Sequence, residues 1–390
     1  METEECVEAC VKFLESGPLN LFTNTLAKSA PLYVQYYVTA RCNLRCEQCN
    51  VIYANADRRE LNTDESFKVI DNLAALGTSV VLLTGGEPFI RSDLPKLAGR
   101  LIEKGVHPRI QTNGLATLDR LRECAEFGVR DISISLDSLV PSMQDKLNGG
   151  FESSWKTAIA TVSNVGKTLG TNTFAAFGCV FSPTNFREVP SVIRFATEIG
   201  WWVSLVPAHV TEIHNPRSFS TFNKDMIFPA ETHAAAEDVL GQVIQMKSEG
   251  YNVYDSDQFL LDMKKFVTGR PTTWRNRNGG VCDAGELYMA VLPDGTLAPC
   301  CDWRLEQNVE VADKGFVQAF RKREFTREIK TIASRCNGCL YGSYPEISIS
   351  ARFMAAALER VSLFYKEGRN QIKVLSPEEI QDVASKILKG

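Results

Sequence analysis

Residues 32–50 read LYVQYYVTARCNLRCEQCN, a run of β-branched and aromatic residues that leads directly into three cysteines. The first part of this stretch predicts a buried strand over 32–38. Cys42, Cys46 and Cys49 then fall within eight positions, so that three sulfur atoms can face one small volume. The sequence therefore predicts a strand whose carboxyl end carries a cysteine-rich loop.

Further stretches have the same strand character, and they alternate with helical patterns. One helical pattern covers 63–77, where Thr63 is the expected N-cap and Gly77 closes the carboxyl end. Alternating strands and helices predict parallel strands joined by right-handed crossovers, and therefore an α/β fold. The further predicted strands cover 79–84, 107–113, 131–137, 174–182 and 202–209.

The composition is that of a globular chain of 390 residues, 44% hydrophobic and 23% charged, with room for one large domain and a smaller one. A net charge of -4 without any run of Lys or Arg argues against nucleic acid and anionic membrane surfaces as partners. Residues 1–17, METEECVEACVKFLESG, lack the basic and apolar regions of a secretory signal, so we expect a cytoplasmic protein. In a reducing compartment, clusters among the twelve cysteines are expected to be metal ligands or catalytic thiols rather than disulfides.

Polar residues and glycines follow several of the predicted strands at the point where each strand ends. In parallel sheets of this class, the functional residues gather at the carboxyl ends of the strands. We therefore expect the cysteine loop to share one rim with these residues. His209 and His214, just after the sixth strand, are candidates for substrate contact near this rim, although a loop histidine is more often simply solvated. The strand-end residues are Cys42, Gly85, Asn113, Asp137 and Ser182.

The number of cysteines in the loop distinguishes between kinds of metal site. Structural zinc sites use four protein ligands, and a four-iron cluster held only by protein takes four thiolates. Three cysteines in a C-x3-C-x2-C pattern leave one iron open for a small molecule. Taken alone, however, the pattern also suits a partial zinc site, and GGEP at 85–88 also suits a simple turn.

The C-x3-C-x2-C loop after the first strand, followed by GGEP after the second, resembles the radical S-adenosylmethionine (radical SAM) family. The resemblance implies a partial (β/α)6 TIM-like barrel with a four-iron (4Fe-4S) cluster on Cys42, Cys46 and Cys49. In that family the open iron binds the amino and carboxylate groups of S-adenosylmethionine. Reduction by a donor such as flavodoxin or ferredoxin then cleaves the sulfonium to a 5'-deoxyadenosyl radical, which takes a hydrogen atom from the substrate.

The same resemblance implies positions that contact S-adenosylmethionine. Gly85 and Gly86 let the backbone approach the ligand closely, and Glu87, followed by Pro88, suits the methionyl ammonium. For Asn113, Ser135 and Asp137, contact with the methionyl carboxylate or the ribose competes with a structural role at the strand ends.

One position departs from the family pattern. The residue before the third cysteine is usually aromatic in the family and rests against the adenine, whereas this chain has Gln48. Adenine is then expected to be held differently, by a hydrogen bond or by a hydrophobic residue such as Val180.

A second group of cysteines lies near the carboxyl end of the chain. Cys282 and Cys300 flank a probable hairpin with Asp294-Gly295 as its turn, and CNGC adds Cys336 and Cys339. This layout resembles the SPASM/twitch extension of the family, in which it implies one fully ligated auxiliary 4Fe-4S cluster. A zinc ion is the alternative to the iron-sulfur cluster, because a hairpin with two cysteines plus C-x2-C also suits a zinc ribbon. Cys301, beside Cys300, is expected to be a spare thiol.

These patterns predict the reaction only in outline. An auxiliary cluster that accepts an electron suits dehydrogenation of a small molecule in a biosynthetic pathway, as in the twitch-bearing dehydrogenases of the family. Redox-neutral decarboxylation or rearrangement, tetrapyrrole modification and peptide modification remain alternatives, as do an iron-sulfur electron carrier and a zinc-bound interaction module. The candidates for acid-base roles are Glu212, Arg304 and Tyr341.

The predicted organisation has five parts along the chain. They are an N-terminal helical extension (1–30), the barrel (31–215), a helical linker (216–280), the auxiliary-cluster domain (281–345) and C-terminal helices (346–390).

Overall fold

A computed structural model gives the structure of this chain. It describes residues 30–51, 59–210, 220–276, 282–336, 338–367 and 371–390, without the side chains of 364–367. The predicted N-terminal extension and the candidate Glu212 lie outside the described residues, as does His214. Among the described helices, none is both long enough and apolar enough to cross a membrane.

The described strands form one sheet of eight, in the order β6-β5-β4-β3-β2-β1-β7-β8. All neighbours pair in parallel except β7 and β8, which form an antiparallel hairpin. The six predicted strands and the mostly parallel α/β fold are therefore confirmed. The strands are β1 (Tyr33–Thr39), β2 (Val80–Gly85), β3 (His107–Thr112), β4 (Asp131–Ser135), β5 (Phe174–Phe181), β6 (Trp202–Pro207), β7 (Tyr288–Val291) and β8 (Leu297–Ala298).

Helices connect the strands and continue after them. Those between the first six strands are α1 (Thr63–Leu76), α2 (Leu94–Glu103), α3 (Leu118–Glu126), α4 (Pro141–Leu147), α5 (Ser154–Thr168) and α6 (Val189–Glu198). Later helices are α7 (His233–Ser248), α8 (Asp257–Val267), α9 (Thr273–Asn276), α10 (Phe316–Arg321), α11 (Thr326–Arg335), α12 (Ser343–Arg352), α13 (Met354–Glu367) and α14 (Pro377–Lys389). Short 3-10 helices cover Pro88–Ile90, Phe186–Glu188, Lys224–Met226 and Ala230–Thr232.

The ends of helix α1 follow from the local sequence, but the predicted N-cap residue was wrong. Its N-cap is Asn62, whose side chain accepts the amide of Glu65, while the Glu65 carboxylate accepts the amide of Asn62. Thr63, the predicted N-cap, is instead the first helical residue, and its hydroxyl donates to Asp93 at 2.7 Å. Gly77 ends the helix with a φ of 95°, as predicted.

The first strand lies inside the sheet, between β2 and β7, and is buried on both faces. Val34, Tyr36 and Val38 have no exposed surface or almost none, and Tyr33 and Tyr37 on the opposite face are also buried. Burial on both faces is the usual environment of a parallel strand that helices cover. The cysteine loop therefore leaves the sheet from a rigid strand.

The C-terminal hairpin extends the sheet of the barrel strands. Strand β7 lies beside β1 in parallel register, with Tyr288 opposite Tyr33. The turn between β7 and β8 contains the predicted Asp294-Gly295 pair, and Gly295 has a φ of 85°. The chain regions predicted as barrel and auxiliary domain thus share one sheet, which brings the second group of cysteines close to the first strand.

Candidate active site

The loop of three cysteines follows β1 and folds back on itself. The amide of Leu44 donates to the Cys42 sulfur at 3.4 Å, and the amide of Cys49 donates to the carbonyl of Cys46 at 3.1 Å. Burial raises the pKa of the Cys49 thiol to about 11, and the nearby Cys42 adds to this rise. For Cys46, burial and then repulsion from Cys49 raise the pKa further. The three thiols are therefore half-buried neighbours that stay protonated at neutral pH unless a metal binds them.

The two glycines of GGEP are needed where β2 meets the start of this loop. A Cβ on Gly85 would lie 2.2 Å from the carbonyl oxygen of Thr39, and one on Gly86 would lie 2.1 Å from that of Arg41. The amides of Gly86 and Glu87 donate to these same carbonyls at 2.9 and 2.8 Å. The close approach that the glycines allow is thus to the backbone that leads into Cys42.

Glu87 is buried at the junction of the second and third strand ends. Its carboxylate accepts the Thr112 hydroxyl at 2.9 Å and the amides of Phe89 and Asn113 at 3.0 and 2.7 Å. Burial raises the pKa of Glu87 to about 7, although these donors lower it. A carboxylate has about four acceptor sites, so one remains for a further donor. Pro88 follows it and begins the short helix Pro88–Ile90.

The third and fourth strand ends also carry predicted site residues. The side-chain amide of Asn113 donates to the side-chain oxygen (Oδ1) of Asn43 at 2.7 Å and lies 3.7 Å from the Cys42 sulfur. Asn113 therefore holds the cysteine loop against β3. The Ser135 hydroxyl accepts the side-chain amide of Gln111 at 3.2 Å.

Gln48, Asp137 and Val180, which the sequence analysis treated separately, lie together. The buried Asp137 carboxylate accepts the amide of Val180 at 2.7 Å and the side-chain amide of Gln48 at 3.1 Å. Burial raises the pKa of Asp137 to about 7. The side-chain carbonyl oxygen of Gln48 is buried, and no described residue donates a hydrogen bond to it. This oxygen is an acceptor that a bound ligand can use.

The second group of cysteines surrounds one cavity beneath the hairpin. Cys282, Cys300, Cys336 and Cys339 all line it, together with mainly apolar side chains. Burial raises the pKa of each of Cys282, Cys300 and Cys339. The amide of Gly338 donates to the Cys336 sulfur at 3.4 Å.

Cys301 does not belong to this group. It is buried and faces β1, where its sulfur accepts the Tyr37 hydroxyl at 3.2 Å and donates to the Gln35 side chain at 3.4 Å. The structure thus separates the adjacent thiols Cys300 and Cys301 into different environments.

The cavity offers a test of whether a cluster fits. Its walls supply four sulfurs. The indole nitrogen of Trp274, another wall residue, is buried and has no hydrogen-bond partner in the part of the chain that the structure describes. An iron-sulfur cluster brings sulfur acceptors into such a space and takes one thiolate per iron. Among the described residues, no group of three or more His, Cys, Asp and Glu side chains is placed to hold a single metal ion. The residues of the cavity fit a four-iron cluster.

Of the three acid-base candidates, Tyr341 lies in a partly buried polar group. Its hydroxyl donates to Asp302 at 3.0 Å and lies 2.7 Å from the Ser220 hydroxyl. Burial and the nearby Asp302 raise its pKa well above the usual value. The sequence analysis missed Asp302 and Ser220, and only the position of Asp302 after Cys300-Cys301 could have indicated it.

Arg304 lies against the backbone of the same segment. One guanidinium nitrogen contacts the carbonyls of Cys301 and Trp303, each at 2.9 Å, and that of Cys300 at 3.3 Å. Such contacts to consecutive carbonyls brace the turn that carries Cys300.

His209, which we expected to be solvated, is buried instead. Its ring stacks on Tyr341 with centroids 3.7 Å apart and accepts the amide of Leu340 at 2.9 Å. Burial lowers its pKa to about 4, so the ring is neutral near pH 7. His209 therefore ties the end of β6 to the segment that carries Cys339.

Consecutive residues link the two cysteine groups. The Thr221 hydroxyl donates to the carbonyl of Glu47, inside the first cysteine loop, at 2.9 Å. Ser220, just before it, contacts Tyr341 and Asp302 beside the second group. Both candidate cluster sites therefore lie close to a single short segment.

Comparisons with known proteins concern mainly the segment that carries the first cysteine group. Residues 36–196 match the family model described as the Radical SAM superfamily. The chain is similar to Fe-coproporphyrin III synthase of Methanosarcina barkeri, with 33% identity over 170 residues, which are 42% of this chain and 41% of that protein. It is also similar to PqqA peptide cyclase of Ruegeria pomeroyi, with 25% identity over 275 residues, which are 70% of this chain and 68% of that protein.

A solved structure extends the likeness of fold beyond the family segment. Streptococcus suis SuiB bound to precursor peptide SuiA superposes with a TM-score of 0.57 at 16% identity, covering 75% of this chain and 65% of that one. At this identity the match shows the fold alone. The chain spans less than half the length of the coproporphyrin synthase and about two thirds of SuiB.

Proposed function

We propose that this protein is a radical SAM oxidoreductase that dehydrogenates a small-molecule substrate, with an auxiliary cluster beside the barrel. The observation that carries this proposal is the link between the two cysteine groups through Ser220 and Thr221. A proton-accepting group and an electron-accepting site next to one barrel mouth suit removal of two electrons from one substrate.

The first site is assigned to residues at the carboxyl ends of the strands. Cys42, Cys46 and Cys49 would hold a 4Fe-4S cluster, which would supply the reductive cleavage of S-adenosylmethionine. The remaining acceptor site of Glu87 and the unpartnered oxygen of Gln48 are the groups we assign to the cofactor's ammonium and adenine amino groups. Gly85, Gly86, Pro88, Asn113, Ser135, Asp137 and Val180 shape or contact the same site.

The second site is assigned to the cavity of Cys282, Cys300, Cys336 and Cys339. Four sulfurs leave none of its irons open, so this cluster is not a substrate-binding position. When bound, the two clusters and S-adenosylmethionine supply a 5'-deoxyadenosyl radical that removes one hydrogen atom and an acceptor for the second electron. The protein must still remove the proton that accompanies that electron.

We assign the proton to the group formed by Tyr341, Asp302 and Ser220. The Tyr341 hydroxyl donates to Asp302 and contacts Ser220, so a proton from a substrate hydroxyl can pass through Tyr341 to the Asp302 carboxylate. Oxidation of an alcohol to a ketone then balances. One hydrogen atom leaves with the adenosyl carbon, one proton reaches Asp302, and one electron leaves for the auxiliary site.

Iron content and cofactor cleavage test the two cluster sites. Anaerobic reconstitution should load about eight irons per chain, and the variant Cys42→Ala/Cys46→Ala/Cys49→Ala should keep about half. With dithionite as reductant, the wild type should release 5'-deoxyadenosine from S-adenosylmethionine, whereas this variant should release none. Release from the variant would overturn the first site. Zinc with only about four irons in the wild type would overturn the second.

The substrate class needs a separate experiment. A library of small alcohols and a library of short peptides are added to reconstituted protein, and 5'-deoxyadenosine release is compared with the substrate-free rate. Stimulation by alcohols, with ketone formation, supports the proposal. Tyr341→Phe should then lower ketone formation by about 100-fold or more while leaving substrate-free cleavage unchanged.

Peptide modification is the second candidate. It is favoured by the similarity to PqqA peptide cyclase, which covers 70% of this chain, well beyond the barrel segment. Stimulation by the peptide library and not by the alcohols would support peptide modification and overturn the small-molecule assignment.

A further inference from the structure

We infer that Trp274 donates a hydrogen bond from its indole N–H to a sulfur of the auxiliary site and thereby raises the reduction potential of the cluster there. The inference rests on the proposed function, because it needs the cluster assigned to Cys282, Cys300, Cys336 and Cys339. It deepens that proposal by naming the residue that adjusts the electron acceptor.

The indole nitrogen is an unsatisfied donor in the wall of the cavity. Trp274 is 1% exposed and lines the cavity with the four cysteines, and its Nε1 atom has no hydrogen-bond partner among the described residues. A buried donor left without a partner costs about 1–3 kcal/mol, so such groups are rare in folded proteins. A missing acceptor is therefore expected near this nitrogen.

Apart from two tyrosine hydroxyls, the side-chain acceptors that line the cavity are sulfur atoms. Arg275 is the charged residue of the lining, and it carries donors only. The tyrosine hydroxyls of the lining do not accept from Trp274, and most other wall residues are apolar. A four-iron cluster on the four thiolates adds sulfides to the same space, which supplies the acceptor.

The surrounding contacts hold the indole in place. The backbone amide of Trp274 donates to Asp262 at 2.9 Å, and its carbonyl accepts from Arg352 at 2.8 Å. The Arg352 guanidinium also lies 5.6 Å from the centre of the indole ring and pairs with Asp283 at 2.8 Å. Because Asp283 follows Cys282, these contacts tie the orientation of the indole to the position of a cysteine ligand.

A fixed donor at this site has a predictable effect. Reduction adds a negative charge to a cluster in largely apolar surroundings, which disfavours the reduced form. A hydrogen bond to a cluster sulfur stabilises the reduced form more than the oxidised form, and so raises the potential. Removing the donor should therefore make the site harder to reduce.

The test uses protein in which only the auxiliary site is loaded. In the Cys42→Ala/Cys46→Ala/Cys49→Ala background, Trp274→Phe removes the N–H and keeps an aromatic ring. Trp155→Phe is the matched control, because Trp155 is also buried with an unpartnered indole nitrogen but lies in α5 of the barrel. Trp274→His keeps a ring N–H in a smaller side chain.

Redox titration followed by EPR gives the result. At a fixed potential, Trp274→Phe should lower the ratio of reduced to oxidised cluster about tenfold, equal to about 59 mV for one electron. Trp155→Phe should leave the ratio unchanged, and Trp274→His should restore part of it. Pulsed EPR in D2O should show an exchangeable proton coupling in the parent that Trp274→Phe lacks.

Each contrary outcome identifies a different error. An unchanged ratio and an unchanged proton coupling in Trp274→Phe, with about four irons bound, would overturn the inference alone. Loss of iron from both Trp274 variants but not from Trp155→Phe would show a purely structural wall residue and would also overturn it. Absence of iron from the parent triple variant would overturn the proposed auxiliary cluster itself, and this inference with it.

Discussion

Gly86→Ala should disrupt the junction between β2 and the cysteine loop. The added Cβ would lie 2.1 Å from the Arg41 carbonyl oxygen and 2.8 Å from that of Ala40, whereas ordinary contacts begin at 3.4 Å. The two backbone segments must therefore separate by about 1 Å, in keeping with the cost of overpacking a tight contact. That movement would weaken the hydrogen bonds that the amides of Gly86 and Glu87 donate across the junction.

The expected cost follows from these two effects. Overpacking costs about 1–3 kcal/mol, and a weakened hydrogen bond adds about 1 kcal/mol. We therefore expect a loss of about 2–4 kcal/mol in the free energy of unfolding, measured by urea titration of the apoprotein with circular dichroism. Because the shifted segment leads into Cys42, reconstituted Gly86→Ala should also lose iron from the first site and keep about four irons per chain.

Gly315→Ala is the matched control for this experiment. Gly315 has an ordinary φ of -85° at the N-cap of α10, and a Cβ there meets nothing within 4 Å. Its substitution should change the free energy of unfolding by about 1 kcal/mol or less, because the loss of a good N-cap residue is offset by a less flexible unfolded chain, and it should leave iron binding unchanged. A Gly86→Ala protein with the stability and iron content of Gly315→Ala would refute the steric explanation of GGEP.

Three further predictions concern other parts of the site. The pKa of His209 is about 4 in the folded protein and about 6.5 in the unfolded chain, so the unfolded chain binds a proton more readily. The free energy of unfolding should therefore fall by about 3 kcal/mol as the pH drops from above 6.5 to 4. Urea titrations across this pH range should show this fall in the wild type and not in His209→Gln. The same dependence of stability on pH in both proteins would contradict the prediction. Glu87→Gln should lower stability by about 1–3 kcal/mol, because an amide nitrogen then faces one of its donors, whereas an unchanged urea midpoint would argue against this. Cys336→Ala should keep 5'-deoxyadenosine release while losing about four irons, and loss of release would show that the two sites are not independent.

Local patterns in the sequence were enough to predict the strands and the cysteine motifs. Strand and helix periodicities depend on residues within a few positions of one another, so β1 to β6 and the Asp294-Gly295 turn could be predicted without any knowledge of the chain path. The spacing of Cys42, Cys46 and Cys49 is local in the same sense. The exact start of a helix was harder to predict, because two adjacent residues suit the N-cap and Asn62 rather than Thr63 caps α1.

Tertiary structure alone decided which distant groups meet. The pairing of β7 with β1, the contacts of Ser220 with Asp302 and Tyr341, and the place of Trp274 in the cysteine cavity each join segments that are far apart in sequence. Periodicity carries no information about such partners, since many strand edges and polar side chains would satisfy the same local rules. Burial then changed the chemistry of single residues, making His209 a neutral buried acceptor and raising the pKa of Glu87 to about 7. Charge and proton affinity depend on the surrounding atoms, and these are set only when the whole chain has folded.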